Sequence, residues 1–120
     1  MYKLVIIIER QMDLRAFEII WPQFLERVES LPGLLRETTA QVDEILTGSY
    51  TPEFIHELYF ESKEAALAAM SSPKGKEAGQ FLQKLTQGAV TLLLAEHMQE
   101  DIQNLKNYRL KEQADDSKTT

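Results

Sequence analysis

The chain has 120 residues, 43% of them apolar and 27% charged, which is one domain's length and the makeup of a globular fold with its own core rather than a disordered one. Its 19 acidic and 13 basic side chains leave a formal charge of −6, and no basic stripe interrupts that excess, so nucleic acid is excluded as a partner. It has no cysteine and 2 histidines, which removes disulfides, thiolate chemistry and a dedicated zinc site from consideration, and no metal or other cofactor is expected.

Tyr2 to Glu9 predicts the first strand. Leu4 to Ile8 are continuously apolar and rich in β-branched residues, as in a strand covered on both faces. The same run is too short for a signal-peptide core, Glu9 and Arg10 follow it directly, and no stretch approaches a membrane span. A cytoplasmic location with no membrane partner is the expectation.

Asp13 is placed to cap a helix over Leu14 to Glu29. Leu14, Phe17, Trp21 (or Ile20), Phe24, Leu25 and Val28 form its apolar stripe, and Pro22 predicts a kink or break near Ile20-Trp21. Ser30-Leu31-Pro32-Gly33 ends it. Leu34 to Val42 predicts a second strand, polar enough for a sheet edge, with Arg36, Thr38 and Ala40 on one face and Leu35, Glu37, Thr39 and Gln41 on the other.

After a loop over 43–52, Phe54 to Glu61 predicts the third strand. Alternation places Phe54, His56, Leu58 and Phe60 on one face and Ile55, Glu57, Tyr59 and Glu61 on the other. Ser62 caps a helix through Met70; Ser71 to Gly75 predicts a break; Lys76 to Leu85 resumes the helix. Ala89 to His97 predicts the last strand, apolar on both faces. Met98 to Gln113 predicts a further helix with Ile102, Leu105 and Leu110 as its strip, and Ala114 to Thr120 a disordered tail.

The order βαββαβ is the ferredoxin-like, or split βαβ, arrangement: an α+β fold with a four-stranded antiparallel sheet and its helices on one face. Residues 1–97 form this domain, 98–113 a helical extension and 114–120 the tail. First and last strands apolar on both faces would leave a large apolar patch in water, so a second copy is expected to cover the bare face and close a dimeric α/β barrel.

Several segments then resemble the EthD-like members of the dimeric α/β-barrel superfamily. They are Tyr2-Lys3-Leu4-Val5, Leu31-Pro32-Gly33-Leu34, Glu57-Leu58-Tyr59-Phe60-Glu61-Ser62, Glu64-Ala65 and Ser72-Pro73-Lys74-Gly75, spread over residues 2–97. The resemblance implies a homodimer with a cavity between sheet and helices in each protomer. Its superfamily includes polyketide cyclases, muconolactone isomerases, cofactor-free monooxygenases and haem-degrading enzymes. The chain departs from it where relatives often carry a His-x-Pro late in the first helix; Gln23-Phe24-Leu25-Glu26 has no histidine.

Candidate catalytic residues are Glu57 and Tyr59: a carboxylate in an apolar cavity has a raised pKa and can act as a base, with the phenol relaying a proton. The structural alternative is that Glu57 pairs with Arg36 or Lys3 on a neighbouring strand. Trp21, Phe24, Arg36 and His56 are the candidate pocket lining, with His56 turned to the helices, and His97 falls at the last strand's end. The functional reading is an EthD-like homodimer that binds a small, partly apolar molecule, its enzymatic version a cofactor-independent isomerase, cyclase or monooxygenase. The alternative is a non-enzymatic dimeric module for a ligand or protein.

Overall fold

The structure, a computed structural model, describes residues 1–99 and Arg109. The helix expected over 98–113 and the tail over 114–120 otherwise lie outside the described residues. Seven elements follow in order: β1 (Tyr2–Glu9), α1 (Leu14–Glu29), β2 (Arg36–Gln41), β3 (Pro52–Phe60), α2 (Lys63–Ser71), α3 (Pro73–Thr86) and β4 (Val90–Glu96). The sheet is antiparallel in the order β2-β3-β1-β4. This is the ferredoxin-like arrangement, with polar β2 at an edge.

One face of the sheet carries the core. Leu4, Ile6 and Ile8 of β1 and Phe54, Leu58 and Phe60 of β3 pack against Phe17, Phe24 and Val28 of α1, Ala66 and Ala69 of α2, and Ala78 and Leu82 of α3. At roughly 1.5–3 kcal/mol for each fully buried large apolar side chain, this layer dominates the stabilisation. The opposite face is partly open to solvent. Val5, Ile7 and Ile55 are half-buried there, and Leu93 is 48% exposed.

α1 starts where Asp13 accepts from the Ala16 amide at 3.0 Å and runs on through Pro22 as one helix, so of the kink or break expected from the sequence the break is absent. Proline removes a bond to the carbonyl four residues back, that of Glu18. Both Pro22 and Glu18 lie on the exposed side of α1, so water can serve that carbonyl.

The gap expected at Ser71 to Gly75 is also shorter than the sequence suggests. Ser72 alone separates α2 from α3 and serves both ends: its hydroxyl donates to the Ala69 carbonyl at 2.6 Å and accepts from the Gly75 amide at 3.0 Å. Pro73 then occupies a first-turn position of α3, where no amide hydrogen is needed. Gly75 has no alternative, because a Cβ there would run into the carbonyl oxygens of Ala69 and Met70.

Candidate functional site

A cavity of about 580 Å³ opens between the helices and the sheet. Leu4 and Ile6 of β1, Leu58 of β3 and Leu92 of β4 form its floor; Phe24 and Val28 of α1 and Leu82 of α3 form its walls. Its size is ordinary for a small-molecule site, and its walls are almost wholly apolar.

Beside Phe24 lies a compact polar group. His56 is fully buried, with its ring 5.4 Å from Trp21 and 6.4 Å from Phe24, both edge-on. β2 supplies both its partners. Thr39 Oγ1 is 2.6 Å from Nδ1 and Glu37 Oε2 is 3.1 Å from Nε2. With Glu37 ionised, the carboxylate accepts from Nε2–H and the Thr39 hydroxyl donates to Nδ1, so a neutral imidazole is satisfied at both nitrogens. Burial pushes the His56 pKa down to about 4, against the opposing charge of Glu57. Burial also raises that of Glu37.

Glu57 and Tyr59 are elsewhere. Strand alternation carries them to the open face of the sheet, opposite the cavity. The Tyr59 hydroxyl donates to Glu57 Oε2 at 2.6 Å, and the Lys3 ammonium lies 3.2 Å from the same oxygen. The Tyr59 bond is the main reason the Glu57 pKa is lowered; burial opposes it, and Lys3 and His97 lower it further. The raised carboxyl pKa expected for a base is therefore reversed, because Glu57 sits among donors rather than in an apolar enclosure. Its partner is Lys3, opposite Tyr59 in the β1–β3 register.

Arg36 lies on this open face too. It does not reach the cavity; its guanidinium stacks 4.2 Å from the centre of the Tyr59 ring. The His97 ring meets the same tyrosine edge-on at 5.0 Å. Of the four candidate lining residues, Phe24 borders the cavity, Trp21 and His56 pack beside Phe24, and Arg36 is on the far side of the sheet. Among the described residues no three His, Asp or Glu side chains converge to hold a metal ion. No described helix is long and apolar enough to cross a membrane.

The sequence reading missed Glu37 and Thr39 as partners of His56. The available signal was parity: both fall on the same face of their strand. It also missed Leu4, Leu58, Leu82 and Leu92 as cavity lining; continuous apolar runs do not reveal which side chains border empty space.

No family model matches the chain. An uncharacterised 11.0 kDa protein from the thcB-thcC intergenic region of Rhodococcus erythropolis is 27% identical over 97 residues, covering 80% of this chain and 94% of that protein. An EthD family protein from Bacillus halodurans superposes with a TM-score of 0.75 at 25% identity, over 82% of this chain and 99% of its own. SnoaB, a cofactor-independent oxygenase from Streptomyces nogalater, is similar in fold with a TM-score of 0.62 at 14% identity, over 82% and 94% of the two chains. So is a dimeric ferredoxin-like protein of unknown function from Jannaschia sp., with a TM-score of 0.61 at 15% identity over 80% and 98%. Element order, sheet topology and these likenesses together give the chain a ferredoxin-like fold similar to that of the EthD family protein.

Proposed function

We propose that this protein is a homodimer that binds a small, largely apolar molecule in the cavity between sheet and helices of each protomer. The observation that carries the reading is the cavity itself: about 580 Å³, walled by Leu4, Ile6, Phe24, Val28, Leu58 and Leu82. The half-open sheet face, with Val5, Ile7, Ile55 and Leu93, is the surface for the second copy. The dimeric description of the Jannaschia protein supports that assembly. Binding is favoured over catalysis because Glu57, the candidate base, is held ionised by Tyr59 and Lys3 on the side of the sheet away from the cavity.

A cofactor-independent isomerase, cyclase or monooxygenase is the second reading. His56, a buried imidazole beside cavity-lining Phe24, favours it, as does the fold's likeness to a cofactor-independent oxygenase.

Gly79 provides the test of binding. It lines the cavity, and a Cβ added there meets nothing within 4 Å. The Cβ of a larger side chain there starts in open space, so Gly79→Phe is the variant chosen to obstruct the cleft, with circular dichroism to confirm that the fold is kept. An apolar fluorescent probe should bind the wild-type chain and lose most of its affinity for the variant; equal binding to both sinks the cavity as the site.

A further inference from the structure

The cavity's walls and mouth differ in chemistry, and the difference specifies a ligand class. Sheet and α1 contribute only hydrocarbon. α3 contributes Lys76, Gln80, Gln83 and Lys84, all exposed at their tips. Their spacing sets them along one side of the helix, with the two lysines about 12 Å apart along its axis. Their alkyl stems can border an apolar slot while the ammonium groups stay in water.

This cationic rim is unusual for the chain. The formal charge is −6, yet no acidic residue lines the cavity. Neither Lys76 nor Lys84 takes part in an ion pair among the described residues. Glu77, the one acidic residue in α3, is engaged by Arg27 at 3.6 Å. The slot is apolar inside, with two positive charges and two amides at its entrance and no fixed negative charge among its lining.

We propose that the ligand is an amphipathic carboxylate: a hydrocarbon body that fills the slot and an anionic end held at the mouth by Lys76 and Lys84. This rests on the binding reading above and adds the head group to it. The body supplies affinity, about fourfold for each methylene buried. The head group supplies choice. Exposed ion pairs are individually weak, so the two lysines together give the acid roughly a three- to tenfold advantage over its neutral alcohol. They repel the amine.

The test is calorimetric titration of the full chain with decanoate, decanol and decylamine near neutral pH, in wild type and in Lys76→Gln/Lys84→Gln. Both lysines are exposed, so the double variant keeps the core. The expected result is the order decanoate, decanol, decylamine in the wild type, and loss of the decanoate advantage in the variant. Backbone amide shifts at Gly75 and Gly79 on adding decanoate place the ligand in the slot. If decanol binds as tightly as decanoate, the carboxylate assignment is overturned while the binding reading stands; if the preference survives in the variant, the placing of the head group at Lys76 and Lys84 is overturned. If the wild type binds neither decanoate nor decanol, both are overturned.

Discussion

Glu37 holds one carboxylate oxygen 3.1 Å from His56 Nε2, diagonally across the β2–β3 pairing. A buried imidazole and a partly exposed carboxylate thus titrate within one contact. Burial lowers the His56 pKa to about 4 from an ordinary 6.5, so the unfolded chain binds this proton first as pH falls. His56 therefore leaves stability intact above pH 6.5 and removes it progressively down to about pH 4, a loss on the order of 3 kcal/mol. Glu37, with its pKa raised, works in the opposite sense: its contribution favours the fold at low pH and is lost as pH rises through its folded value. It is the less buried partner, so the histidine sets the trend. Denaturant titrations at several pH values should show stability falling below pH 6.5, and His56→Gln should flatten that fall.

Tyr59→Phe removes the hydroxyl that does most to keep Glu57 ionised. The carboxyl pKa should move up towards its ordinary value, and the fold should lose about 1 kcal/mol at neutral pH. Because the folded pKa is lowered, the contact contributes above the unfolded value of 4.5 and is lost as pH falls through the folded one. The variant should show less of that acid sensitivity. Carbon-13 titration of the Glu57 carboxyl in both proteins measures the shift directly.

Two glycines of α3 should respond oppositely to alanine. Gly75→Ala forces a methyl group against the carbonyls of Ala69 and Met70 and should cost about 1–3 kcal/mol. Gly79→Ala meets open space in a helix interior and should stabilise by about 0.5–1 kcal/mol. Thermal melts of the two variants against wild type decide the matter.

For assembly, Leu93 is the residue to change. It is 48% exposed on the open sheet face and pairs with Val5 in the β1–β4 register. Wild-type protein should sediment at twice the 13.8 kDa chain mass, and Leu93→Glu should sediment as a monomer with its circular dichroism unchanged. A wild-type monomer at micromolar concentration would remove the second copy from the functional reading.

The sequence was most legible where a local rule acts alone. Alternation in β3 placed His56 under the helices and Glu57 and Tyr59 on the other face, and Asp13 and Ser62 cap the helices they precede. It was least legible where register or solvent access decides. The ion pair of Glu57 is made with Lys3, 54 residues away, and no local pattern tells which neighbouring strand supplies that partner. Pro22 reads as a break until the side of α1 it occupies is known. The cavity rim comes from α3, whose first turn, Pro73-Lys74-Gly75, carries the residues that signal a loop.

Ser72 has a consequence for how the cavity can accept a guest. One residue ends α2 and caps α3, and Gly75 is jammed against the end of α2, so this corner has no slack. α3 behaves as a boom fixed at its N-terminal end. Its other end turns through Gln87 at φ 53° and Gly88 at φ 81° before entering β4. Any widening of the slot for a bulkier guest must swing from Ser72 and be absorbed at that turn. If the slot holds a guest as proposed, the tight corner at Gly75 limits its thickness, and room for length lies towards Lys84.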